Sequence, residues 1–111
     1  MLNYTTYQHP TAEDWVTFVH GAGGSMAIWY KQLRDFRRHF NVLLVDLRGH
    51  GRSKENLNDK LKRYSFDTIG DEVIEVLDHL AIEKTHFVGI SLGTIIIREI
   101  TERYPERTQS M

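Results

Sequence analysis

The 111-residue sequence has no cysteine, only two prolines and almost no net charge. Without cysteine there is no disulfide framework and no thiolate metal site, and the sequence carries no information on redox compartment. Fourteen basic side chains against fifteen acidic ones leave a formal charge of −1, so no net field points to nucleic acid or anionic lipid. The one basic cluster, Arg34, Arg37, Arg38 and His39, is interleaved with Leu33 and Phe36, the pattern of a solvated helix face. No apolar run approaches membrane-spanning length, and Met1 to His9 lacks the basic start and apolar run of a signal peptide. These features predict a soluble, cytoplasmic protein with no nucleic-acid or membrane partner. Repeats and low-complexity tracts are also missing, and Pro10 and Pro105 stand at element boundaries.

What is present is ordinary globular material, 41% hydrophobic and 26% charged, with room for one domain and a modest core. Trp15 to His20 is a short apolar run ending in glycines, as a buried strand does. From Met26 to Phe40, the residues Trp29, Leu33, Phe36 and Phe40 share one helical face. Val42 to Asp46 reads as a second core strand, and Arg48 to Leu61 as a polar loop. A helix capped by Ser65 or Asp67 runs to Leu80, with Ile69, Val73, Val76, Leu77 and Leu80 as its stripe. Thr85 to Ile90 is the third core strand. Leu92 to Tyr104 is a helix ended by Pro105, and Ile95, Ile96, Ile97 and Ile100 predict its burial on several sides. Met1 to Tyr7 is a candidate edge strand. Alternating strands and helices predict an α/β fold of three layers, with helices on both faces of a parallel sheet and right-handed crossovers. Ligands bind at the carboxyl ends of strands in such sheets, and the glycine motifs of this sequence all lie there.

The most informative motif is Gly89-Ile90-Ser91-Leu92-Gly93, a G-x-S-x-G between a strand and an apolar helix. A direct turn from strand into helix forces the serine into a strained conformation, and bulk two residues to either side would clash. The turn holds Oγ above the sheet at a helix N-terminus, where free N–H groups favour developing negative charge. The second motif, His20-Gly21-Ala22-Gly23-Gly24-Ser25, follows the first core strand. Its glycines allow close backbone approach, and such a loop can supply one oxyanion donor beside the N–H of Leu92. The third, Asp46-Leu47-Arg48-Gly49-His50-Gly51-Arg52-Ser53, follows the second core strand and by itself marks a tight polar turn.

Together and in this order the three motifs resemble the α/β-hydrolase superfamily, with a likeness to small bacterial esterase- and lipase-type enzymes that runs from about Trp15 to the last residue. The resemblance implies Ser91 as nucleophile, the backbone N–H groups of Ala22 and Leu92 as oxyanion donors, and the Asp46–Ser53 loop as a wall of the site. Gly89, Gly93, His20 and Gly21 would shape the elbow and its facing loop, with His20 structural. Serine where a dehalogenase of this fold carries aspartate implies hydrolysis of carboxylic esters or thioesters, or a related acyl reaction. No cofactor and no metal are implied.

The family's catalytic order is serine, then acid, then histidine. After Ser91 this sequence has neither histidine nor aspartate. Glu99 lies roughly 12 Å further along the helix axis, pointing away from the strand ends. His86 opens its strand roughly 16 Å from Ser91, His9, His39 and His79 lie elsewhere, and only His20 and His50 sit at the right edge. The resemblance therefore implies the N-terminal half of a hydrolase, a truncated chain inactive by itself, whose later strands would carry the acid and the base. An exposed sheet edge along Thr85–Ile90 would then favour a homodimer. Two other readings stand beside this one. The Gly21–Gly24 loop with Asp46 could form a nucleotide-binding βαβ module, although Met26 occupies the third-glycine position. The chain could also be a half-domain that does no chemistry.

Overall fold

The computed structural model describes residues 1–21, 23–47 and 66–110. Its strands are β1 (Tyr4–Tyr7), β2 (Trp15–Val19), β3 (Asn41–Val45), β4 (Thr85–Gly89) and β5 (Thr108–Ser110). The α-helices are α1 (Tyr30–Phe36), α2 (Phe66–His79) and α3 (Leu92–Arg103), with a 3-10 turn at Met26–Trp29 leading into α1. One sheet holds all five strands in the order β1-β3-β2-β4-β5. The three core strands lie side by side in the order second, first, third and run parallel. The edge strand anticipated at the N-terminus is antiparallel, with Tyr4 opposite Val45 and Tyr7 opposite Val42, so the sheet is mixed.

Strand alternation divides the core into two. Val16, Phe18, Val42 and Leu44 point to one face, where they meet Met26, Trp29 and Leu33. Val19, Leu43, Val45 and Phe87 point to the other, against Val73, Leu77, Ile96, Ile97 and Ile100 of α2 and α3. On this second face Thr17 and Thr85 are fully buried, and their hydroxyls hydrogen-bond each other at 2.8 Å, linking β2 to β4. Two helices on one face and one on the other make the predicted three layers.

Several boundaries differ from the sequence reading. The helix expected from Met26 to Phe40 is a 3-10 turn, then α1, then hydrogen-bonded turns to Phe40. Its entry is held from outside: the Asp46 carboxylate accepts the Met26 N–H at 2.8 Å, and Ser25 Oγ accepts the Ala27 N–H at 3.3 Å. Ser65, one of the two proposed caps, and the Arg48–Leu61 loop lie outside the described residues. Asp67, the other, falls inside α2, which begins at Phe66. Ile95 is 41% exposed, whereas Ile96, Ile97 and Ile100 are buried, so α3 is covered on fewer sides than its isoleucines suggest. The strand thought absent beside β4 is partly there. β5 pairs in parallel with its first residues, Thr85 opposite Thr108 and His86 opposite Ser110.

Polar contacts tie α2 and the turn after it to the end of α3 and the segment that follows. Arg107 donates to the Asp78 carboxylate and to the carbonyls of Ile82 and Glu83, each at 2.7 Å. Tyr104 Oη donates to Asp71 at 2.9 Å, and that carboxylate also meets Arg103 at 2.9 Å. The hydrogen bond to Asp71, helped by burial and by the carboxylate's charge, raises the Tyr104 pKa above its ordinary 10.0. The folded state thus holds the neutral phenol while the unfolded chain ionises first. The stability this supplies is complete below the ordinary tyrosine value and is lost as pH rises through the raised one. Denaturant unfolding between pH 9 and 11 should therefore show a steeper loss for the native chain than for Tyr104→Phe; equal slopes would contradict it.

Candidate active site

Ser91 sits between β4 and α3 with φ 55° and ψ −119°, a region that side chains other than glycine rarely occupy. Such a conformation costs roughly 1–3 kcal/mol and persists only where the surroundings enforce it. Here the enforcement is visible. The Gly93 N–H donates to the Ile90 carbonyl at 2.9 Å, and the Thr94 N–H donates to the Ser91 carbonyl at 3.0 Å. A Cβ on Gly93 would run into the Val19 carbonyl oxygen and lie 2.9 Å from the His20 carbonyl oxygen. One on Gly89 would lie 2.5 Å from Ile97 Cδ1 and 2.9 Å from the Gly93 carbonyl carbon. The two motif glycines are thus what lets α3 begin directly against the ends of β2 and β4.

The glycine loop closes on the same point. A Cβ on Gly21 would be 3.1 Å from both the Ile90 carbonyl oxygen and Ser91 Cβ, so the loop's backbone lies against the elbow. Gly23 takes φ +79°, and the Gly24 N–H returns to the Gly21 carbonyl at 3.1 Å, closing a tight turn. Ala22, the residue expected to give the loop's oxyanion donor, lies outside the described residues, as do His50 and positions 48–53 of the third motif. Leu92, the other expected donor, is the first residue of α3, and its N–H has no acceptor among the described residues. The Ser91 side chain is exposed and makes no capping hydrogen bond.

His20 is fully buried behind this loop. Its Nε2 lies 2.9 Å from the Leu47 nitrogen and its Nδ1 lies 2.7 Å from the Gly21 carbonyl oxygen. An amide can only donate and a carbonyl can only accept, so the ring is neutral with its proton on Nδ1. Both nitrogens are occupied, which leaves His20 no lone pair for Ser91. His20→Ala should destabilise the chain by about 2–4 kcal/mol, from the cavity and the stranded Leu47 N–H. Chemical denaturation checks this, and a loss below 1 kcal/mol would contradict it.

Asp46 was the candidate ribose-binding acid of the nucleotide reading. It is buried, with one oxygen accepting the Met26 N–H and the other accepting the Asn3 side-chain amide at 2.9 Å. A carboxylate so engaged is a structural clamp, which speaks against that reading. Nothing in the sequence pattern pointed to Asn3 or to this clamp. Of the remaining histidines, His86 bonds Ser110 Oγ at 2.6 Å at the start of β4, and no described histidine hydrogen-bonds Ser91. Among the described residues no three His, Asp or Glu side chains cluster as a metal site would require. A depression of about 590 Å³ between Asp78 and Arg107 lies by the amino end of β4, the opposite end of that strand from Ser91. A polar one of about 410 Å³, lined by Asn3, Ser25, Tyr30 and Asp46, lies by the carboxyl end of β3, on the β1 side of the sheet.

A family model described as the alpha/beta hydrolase fold matches residues 14–111. The chain belongs to the α/β-hydrolase family. It is 36% identical over 108 residues to RutD of Acinetobacter baylyi, a provisionally named carbamate hydrolase, covering 96% of this chain and 40% of that one. It is 32% identical over 106 residues to 3-oxoadipate enol-lactonase 2 of the same organism, covering 96% and 38%. Among solved structures, Est816, an N-acyl homoserine lactone degrading enzyme, superposes with a TM-score of 0.84 at 31% identity, covering 96% of this chain and 39% of that one. The chain therefore spans about two fifths of the length of the relatives it matches. No helix among the described residues of this α/β hydrolase is long and apolar enough to cross a membrane.

Proposed function

We propose that this chain supplies the nucleophile and oxyanion-binding part of a serine hydrolase acting on carboxylic esters, thioesters or related acyl substrates. The observation that carries the reading is Ser91 itself, exposed at φ 55° on a strand-to-helix turn with the Gly21 backbone packed against it. Strain of this kind at an exposed serine is retained where it serves to present Oγ. Ser91 Oγ adds to the substrate's carbonyl carbon and its proton passes to a base. The oxyanion is held by the N–H of Leu92 and that of Ala22, the alcohol or thiol leaves with a proton, and water then releases the acid from the acyl-enzyme. The base and its acid come from the later strands of the family's fold. The names of the relatives, an enol-lactonase and a lactone-degrading enzyme among them, fit an acyl–oxygen bond as the target.

Assayed alone against p-nitrophenyl acetate, the 111-residue chain should show turnover at or near the blank rate, because no described histidine is placed to take the Ser91 proton. Turnover within about tenfold of an intact family esterase, abolished by Ser91→Ala, would mean that another base serves.

A further inference from the structure

The charge of the molecule is unevenly placed despite its small net value. Lys31, Arg34, Arg37, Arg38 and His39 are all exposed on α1 and the turns that follow it, with Asp35 the only acid among them. Lys31, Arg34 and Arg38 fall at i, i+3 and i+7, a row about 10 Å long on the outer side of the helix. Among the described residues none of these three side chains has a hydrogen-bond or ion-pair partner. Across the sheet, by contrast, Arg103 and Arg107 are paired with Asp71 and Asp78. The Arg37 guanidinium is held 4.7 Å above the Tyr7 ring. The helix dipole does not account for the row. It favours cations in the last turn of α1, yet Lys31 stands in the first, where the same field disfavours it.

Two hollows border the row and share Asp35. One, of about 500 Å³, is lined by the exposed Tyr30 together with Lys31, Arg34 and Asp35. The other, of about 170 Å³, is an apolar crevice lined by Asp35, Phe36, His39 and Phe40. We propose that the outer side of α1 is a docking surface for an acidic segment of a partner protein. The segment's carboxylates meet Lys31, Arg34 and Arg38, and one of its apolar side chains enters between Phe36 and Phe40. Charge complementarity selects an acidic partner, and the crevice selects a polypeptide. Phosphates of a nucleic acid or a membrane surface would meet the cations but bring no side chain to fill it. A second copy of the chain fits less well, because Asp71 and Asp78 on its own acidic helix α2 already hold Arg103 and Arg107. Exposed ion pairs alone bind weakly, whereas arginine and tyrosine beside an apolar pocket are what the centre of an interface is enriched in. This surface is independent of the Ser91 reading.

The test titrates the 111-residue chain at low salt with a synthetic peptide of glutamates around one central phenylalanine, read by amide NMR shifts. Saturable shifts confined to residues 28–40 are expected, weakening as salt rises. Arg34→Glu and Arg38→Glu together should weaken binding about tenfold or more at an unchanged unfolding midpoint, since both side chains are exposed. Asp35→Asn removes the one repelling carboxylate and should tighten binding about twofold. Serine in place of the peptide's phenylalanine should cost about tenfold. Equal affinity for the serine peptide, an unaffected arginine variant, weaker binding by Asp35→Asn, or no saturable shifts at residues 28–40 overturns the proposal. So does tighter binding of a DNA duplex or of phosphatidylserine vesicles, which would give the surface to a phosphate array. Concentration-dependent shifts of the same amides in the chain alone would give it to a second copy, and overturn the proposal equally.

Discussion

Gly93→Ala should cost the chain about 3 kcal/mol or more, a large share of the stability of a domain this size. The added methyl meets two backbone carbonyls: the Val19 carbonyl oxygen and, at 2.8 Å, its carbon, and the His20 carbonyl oxygen at 2.9 Å. No rotamer change relieves a clash with main chain, so α3 must move off the end of β2 and loosen its contacts with the buried Ile96, Ile97 and Ile100. Gly23→Ala gives the contrast. Its Cβ would meet nothing within 4 Å, and only the φ of +79° opposes it, for roughly 1 kcal/mol. Urea unfolding of the two variants at unchanged m would separate them. Equal, small losses would mean that α3 does not press on β2 as described.

The largest effect on function belongs to Ser91. In the chain fused to the remainder of a family enzyme, Ser91→Ala should lower kcat/KM for p-nitrophenyl acetate by at least about a thousandfold, the scale on which loss of a nucleophile acts. Stability should move the other way for glycine. Ser91→Gly relieves the φ of 55° and should stabilise the fold by about 1 kcal/mol, while Ser91→Ala, equally strained, should leave stability nearly unchanged. Activity lost while stability is gained is the signature of strain held for presentation. A Ser91→Gly variant less stable than the native chain would show that the side chain is held for structure instead.

How far the sequence reached depended on whether a feature was local. The three core strands, α2 and α3 came from apolar runs, helical periodicity and the glycine motifs, which report burial and turn geometry within a few residues. The elbow was legible for the same reason: glycines two residues to either side of Ser91 have a steric meaning that does not depend on distant parts of the chain. Features built between segments were not legible. The Asp46 clamp joins Asn3 to Met26, the His20 ring bridges Gly21 to Leu47, and Gly21 rests on Ser91 seventy positions away in the chain. The exposure of Ile95 was missed because a run of isoleucines reads as burial whichever side of a helix lacks a neighbour. The antiparallel course of β1 was missed because alternation predicts which way side chains face and says nothing of strand direction. β5 was missed because Thr108, Gln109 and Ser110 are polar, and their pairing is specified by the partner strand rather than by their own pattern.

Covalent trapping decides whether Ser91 is presented as a nucleophile. The chain fused to the remainder of 3-oxoadipate enol-lactonase 2 would be treated with a fluorophosphonate, which serine hydrolases take up through the nucleophilic serine, and digested for peptide mass spectrometry. A single stoichiometric adduct on Ser91 is expected, absent from the Ser91→Ala fusion. A folded fusion that takes up no reagent, or takes it up at another serine such as Ser25 or Ser110 with Ser91 untouched, would contradict it.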